Sequence, residues 1–264
     1  TKTDLAPKVE STQEWSEYTT VEKVTFNDAY GEARVPAYLF IPRKSHPPFQ
    51  TVVYVPGGAA WTLNSVFDYG TVKRREVELL TKNGRCFVFP VFEATFERRA
   101  KPIQKVTTQY IRDSYVRMYR DMARCLDYLE TRPEFDSQKF VYQGLSTGAS
   151  QYTVIIALES RFKAAILLGG GLNARAYQPA ELYVPERDLV NFLPRIKIPV
   201  LMQNGKFDYI LPLETNVKVF YSLLGTPEKD KSLRPYETGH SVWFLNEYRK
   251  DIFDFLDQYL GPAK

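Results

Sequence analysis

The sequence predicts an α/β protein: a mainly parallel sheet with helices on both faces. Three observations point there. Short β-branched runs alternate with helical stretches through most of the chain, several of these runs stop at glycine or proline, and one of only two histidines lies just past the final run. In sheets of this kind ligands bind at the carboxyl ends of the strands.

The elements follow in order. After a polar lead-in, Thr19 to Asn27 and Val35 to Ile41 read as two β-rich runs around the Tyr30-Gly31-Glu32 turn, an antiparallel opening. A Pro- and Lys-rich loop leads into Thr51 to Val55, a buried strand that stops at Pro56-Gly57-Gly58. A helical stretch from Gly70 to Lys82 precedes the strand Arg85 to Phe92. The spacing of Ile111, Tyr115, Met118, Met122, Cys125 and Leu129 by threes and fours gives a long helix over Thr108 to Thr131, ended by Pro133.

Phe140 to Gln143 is a strand that runs into Gly144-Leu145-Ser146-Thr147-Gly148, after which Val154 to Leu158 continues as a deeply buried helix. Ala164 to Leu168 closes on Gly169-Gly170-Gly171, Pro199 to Met202 ends at Asn204-Gly205, and Ser232 to Tyr236 is the last strand. A final helix runs from Trp243 to Leu260, with Leu245, Tyr248, Ile252, Phe255 and Tyr259 on one side. The alternation lapses only over 172–195. That stretch is too irregular for a core element and reads either as a cap over a binding site or as an ordinary surface insertion.

At 264 residues the chain fits one domain spanning 1–264, since α/β folds reach this size as a unit. The formal charge of +4 comes from scattered Lys and Arg, densest at Lys73-Arg74-Arg75 and Arg98-Arg99, and reads as solvated surface rather than a nucleic-acid site. No run of about 18 apolar residues occurs, so no membrane partner is expected. Cys86 and Cys125 are too few for a disulfide framework and read as buried free thiols. Residue 1 is Thr, which suits a processed product or an excised domain, with a covalently linked N-terminal domain in the full-length protein. Localisation stays open, with a lean toward the cytoplasm.

The chemistry sits in three separated places. In a chain of ordinary glycine content a Gly-x-Ser-x-Gly arises by accident about once in twenty sequences. Here it lies between a strand and a helix, where the bend strains the serine backbone and larger residues at 144 and 148 would collide. The helix that follows is expected to turn its positive end toward the reacting centre.

A serine hydroxyl needs a base to accept its proton. His46 lies in a loop expected to be exposed, whereas His240 follows the last strand and is the candidate, the alternative being a turn or helix-start histidine. The partner that orients it must be a carboxylate at the end of the preceding strand. Asp208 fits, although it can also be read as a turn-forming Asp capping the helix after Pro212. A tetrahedral oxyanion needs two backbone donors, assigned to Thr147 and Gly58. Trp61, Phe92, Tyr177 and Trp243 are candidates for an apolar or aromatic substrate pocket, each also readable as core.

Together these residues resemble the α/β-hydrolase superfamily, within it the esterase and peptidase-like branch that includes dienelactone-hydrolase-like and prolyl-oligopeptidase-like proteins, over about Val35 to Leu260. The runs Arg34 to Phe40, Leu129 to Pro133 and Ala164 to Gly171 also resemble hydrolase domains attached to bacterial Ser/Thr protein kinases. The resemblance implies an eight-stranded, mostly parallel sheet and a nucleophile elbow at Ser146. It also implies a catalytic triad of Ser146, Asp208 and His240, with an oxyanion hole at Gly58 and Thr147. The chain departs from dienelactone hydrolases in carrying Ser where they use Cys, and it has Pro56 where many esterases place His before the glycines.

The leading expectation is a serine carboxylesterase acting on a small-molecule ester, with no metal and no organic cofactor. Two alternatives are a peptidase of the prolyl-oligopeptidase type and a non-catalytic hydrolase-fold regulatory module.

Overall fold

The computed structural model describes residues 4–31, 33–73, 76–99, 105–173 and 180–263. Among them nine strands form one sheet: β1 (Lys8–Ser16), β2 (Thr19–Asn27), β3 (Arg34–Pro42), β4 (Phe49–Val55), β5 (Cys86–Pro90), β6 (Phe135–Leu145), β7 (Phe162–Leu168), β8 (Val200–Gly205) and β9 (Lys231–Tyr236). The order across the sheet is β1-β2-β3-β5-β4-β6-β7-β8-β9. Pairings from β1 to β5 are antiparallel, and those from β5 through β4 to β9 are parallel.

The strand that the sequence did not announce is β1. Its residues are nearly all exposed, so no apolar alternation marks it, and only its backbone pairing with β2 makes it a strand. Trp15 near its end stacks on Phe67, with ring centroids 5.3 Å apart.

Alternation in the central strands divides the core in two. Val53 and Val55 of β4 face one layer, formed by α3 (Thr108–Glu130), α4 (Val154–Leu158) and α5 (Lys218–Leu223); Val52 and Tyr54 face the other, formed by α1 (Gly70–Lys73), α2 (Glu76–Lys82) and α6 (Glu247–Leu260). α3 presents Met118, Met122, Cys125, Leu126 and Leu129 to its layer. Its start is fixed by Thr107, whose hydroxyl accepts the Tyr110 N–H at 3.1 Å, a cap worth about 1 kcal/mol. Cys86 and Cys125 are both free and buried.

The described part of the irregular stretch, 180–195, forms short 3₁₀ turns in the crossover from β7 to β8; most of its residues are exposed, while Leu189 and Leu193 reach the core layer of α3 and α5. One expectation needs correction: the helix after Ser146 does not start at the pentapeptide. Turns occupy 146–150, a 3₁₀ turn covers Gln151–Thr153, and α4 is only five residues long. The β-branched run Thr153 to Ile156 has low helix propensity and is held by burial, so little aligned dipole faces Ser146.

The register brings the strand ends to one rim. Val55 lies opposite Gly144, Leu145 opposite Leu168, and Gly205 opposite Tyr236. The loops leaving β4, β6, β7, β8 and β9 therefore emerge side by side.

Candidate active site

At the end of β6 the chain bends sharply, and Ser146 sits at φ 52°, a left-handed conformation rare for a residue with a side chain. The bend is held by Ser146 N–H donating to Leu168 O at 2.8 Å and Gly148 N–H donating to Leu145 O at 2.8 Å. A Cβ at residue 144 would lie 2.4 Å from Gly148 O, and one at 148 would lie 2.2 Å from Val55 O. Only glycine fits either position. Such strain costs on the order of 1–3 kcal/mol and persists where the surroundings over-determine it, as at functional sites.

The loop after β8 carries Asp208 and the loop after β9 carries His240. The two loops are tied together by Lys206 N–H to Tyr236 O and Phe207 N–H to Thr238 O. The Asp208 side chain is fully buried. Its Oδ1 accepts the N–H groups of Ile210 and Leu211 at 2.8 and 3.0 Å, and its Oδ2 lies 2.6 Å from His240 Nδ1. Burial alone would push this carboxyl up, but the hydrogen bonds from His240, Leu211 and Ile210 outweigh it and hold the group below its usual range. On the other side of the imidazole, Nε2 lies 2.9 Å from Ser146 Oγ. Three side chains separated by up to 94 positions thus form one hydrogen-bonded line. His46 is exposed and far from this role in sequence and in surface class.

Around that line, the loop after β4 lies against the bend. A Cβ on Gly57 would sit 3.2 Å from Ser146 Cβ, and one on Gly58 would sit 3.8 Å from Thr147 Oγ1. Gly57 N–H is taken by the Tyr69 hydroxyl at 2.7 Å. Burial pushes the Tyr69 phenol up to about 12, so it stays neutral as an acceptor. Gly58 opens a 3₁₀ turn, Gly58–Trp61, whose first internal bond is Ala60 N–H to Gly57 O, so Gly58 N–H has no partner within the turn. Thr147 N–H likewise forms no bond within the Ser146 bend.

Of the pocket candidates, Trp61 and Phe92 line a cavity of about 170 Å³ that begins at Val55 and Pro56, beside the Gly57-Gly58 loop. Ser146, Asp208 and His240 do not line it. Trp243 packs edge-on against the His240 ring instead, with centroids 6.0 Å apart. Tyr177 lies outside the described residues. Among those residues, no cluster of His, Cys, Asp and Glu suits a metal, and no helix is long and apolar enough to cross a membrane.

Two residues were not found from the sequence. Gly169, at φ 60°, backs the imidazole so closely that a Cβ would lie 3.3 Å from His240 Cε1. Its signal was present as a triple glycine at a strand end. Tyr69, which anchors Gly57, had no local signal at all.

No protein-family model matches the chain. An acetyl esterase of Xylanibacter ruminicola is 27% identical over 140 residues, a stretch that covers 45% of this chain but only 32% of that protein. Among solved structures, an acetyl xylan esterase from a Paenibacillus species aligns with a TM-score of 0.74 at 19% identity, covering 97% of this chain and 90% of that one. Acetyl xylan esterase 1 from a Thermoanaerobacterium species aligns at 0.72 and 16%, covering 97% and 89%. At such identities the likeness is one of fold, and it runs nearly end to end: the chain has the α/β-hydrolase fold, mostly parallel, with nine strands in its sheet among the described residues.

Proposed function

We propose that the chain is a serine carboxylesterase working through an acyl-enzyme on Ser146. The observation that carries this reading is the hydrogen-bonded line from Ser146 Oγ through His240 to Asp208, set at the strand-end rim with the serine in a left-handed backbone. With its proton on Nδ1 donated to Asp208, His240 accepts the Ser146 hydroxyl proton at Nε2 as Oγ attacks the ester carbonyl. The N–H groups of Gly58 and Thr147 receive the oxyanion, each such donor being worth on the order of 3 kcal/mol. The imidazolium, stabilised by the Asp208 carboxylate, returns the proton to the leaving alcohol. Water then enters on the same side, loses a proton to Nε2 as its oxygen bonds to the acyl carbon, and the intermediate collapses: the bond to Ser146 Oγ breaks, Oγ takes the proton back from Nε2, and the acid leaves.

The names of the similar proteins favour acetyl and other short acyl esters as first substrates. The test is turnover of p-nitrophenyl acetate together with labelling by a fluorophosphonate probe. Both are expected in the native chain and lost in Ser146→Ala. A folded native chain that neither turns over esters nor takes the label is a non-catalytic module, and turnover of dipeptide amides in preference to esters marks a peptidase.

A further inference from the structure

Two side chains in the wall of the cavity beside the Gly57-Gly58 loop also face the outside. Glu93 and Arg117 line both this cavity and a broad open groove of about 880 Å³ on the outer surface, whose other walls include Asp28, Tyr30, Arg34 and Val116. The two form an ion pair, Arg117 Nε to Glu93 Oε2, that stands between the two spaces. Glu93 is held from behind by its own N–H, which donates to Asp121 Oδ2 at 3.1 Å, while Asp121 is paired with Arg98. The backbone at Ala94 and Phe96 has positive φ, 66° and 45°, so this wall is a constrained turn and not a slack loop.

The cavity's place decides what it takes. On the serine-esterase reading, on which this inference rests, the leaving alcohol must lie within reach of His240 Nε2, and the carbonyl oxygen must face the Gly58 and Thr147 amides. The cavity touches the residues on either side of Gly58, Pro56 before it and Ala60 and Trp61 after it, and neither His240 nor Trp243. Ser146, Thr147 and Gly58 do not line it either, and on the esterase reading its place next to the Gly58 loop and away from His240 is the side of the acyl substituent. A volume near 150 Å³ holds a benzene-sized group. The 170 Å³ here, with Phe92, Tyr110 and Tyr152 in its walls, suits an acyl group up to about a phenyl ring or a short alkyl chain.

We propose that the Arg117–Glu93 pair is the end wall of an acyl pocket and sets the longest acyl group the protein accepts. The pair is partly exposed, with 31% and 41% of the side chains accessible, so breaking it has little effect on folding. The experiment measures kcat/KM on p-nitrophenyl esters from acetyl to decanoyl in the native chain, Arg117→Ala, Glu93→Ala and Ser114→Leu. Ser114 lines the same cavity, and leucine there shortens it. Each methylene newly buried contributes up to about fourfold, so the decanoyl-to-acetyl ratio should rise at least about tenfold in both alanine variants. In Ser114→Leu the butyryl-to-acetyl ratio should fall. An active native chain whose ratios stay within about twofold in all three variants overturns this proposal and leaves the esterase reading standing. A native chain inactive on every ester and unlabelled by fluorophosphonate removes both.

Discussion

Gly169→Ala tests whether the imidazole is held from behind. The residue has φ 60°, and a methyl there would lie 3.3 Å from His240 Cε1, 3.3 Å from His240 O and 3.6 Å from Nδ1. The left-handed backbone costs alanine about 1–2 kcal/mol, for a domain of this size a loss of about 2–8 °C in Tm. The crowding has a separate effect, since the ring must retreat by a few tenths of an ångström from a position that now gives 2.6 Å to Asp208 and 2.9 Å to Ser146. A displacement of about 1 Å costs on the order of a hundredfold in rate, so a smaller shift should lower kcat about tenfold, and Gly169→Val should lower it further. The assay pairs steady-state kinetics on p-nitrophenyl acetate with thermal melts. Native kcat in Gly169→Ala, with only the melting temperature reduced, would refute the idea that this backbone positions the base.

Asp208→Asn should fold, because the amide oxygen can still accept from Ile210 and Leu211, but its NH₂ faces Nδ1 and forces the wrong imidazole tautomer. The expected loss is about 10³–10⁴ in kcat with a native-like circular dichroism spectrum, and near-native rates would move the acid role elsewhere. The Asp208 carboxyl is held below its usual range, so the folded state binds fewer protons than the unfolded chain. Its contribution to stability is complete above the unfolded value of about 3.9 and is lost as pH falls through the lower folded value, so the gap in melting temperature between the native chain and Asp208→Asn should close only below about pH 4. Tyr69→Phe removes the acceptor of the buried Gly57 N–H, with an expected cost of about 1–3 kcal/mol and a lower kcat as the loop carrying Gly58 loses its anchor at Gly57, readable from denaturant unfolding and kinetics on one preparation.

Much of the fold was legible because a buried parallel strand leaves a strong mark. Thr51 to Val55, Ala164 to Leu168 and the strand before Ser146 must be apolar on both faces, and each stops at a glycine or a polar loop. β1 left no such mark, because its residues touch water on nearly every side and the ladder to β2 is made of backbone atoms common to all residues. The stretch 180–195 left no periodic mark for another reason. Its burial is carried by single residues such as Leu189 and Leu193 in successive 3₁₀ turns, which have neither the period of a strand nor that of a helix.

Sequence by itself determined which kinds of residue stand at each strand end: Ser146 between two glycines, Asp208 and His240 in chain order, and glycines after β4 and β7. These are local demands of a tight bend and of acid–base chemistry, and local demands are written in consecutive residues. Only the tertiary structure decided that Tyr69 would fix Gly57, that Gly169 would press on the imidazole, and that Arg117 and Glu93 would pair across one cavity wall from two elements. Such contacts join residues far apart in the chain through sheet register and layer packing, and no single stretch of sequence carries them.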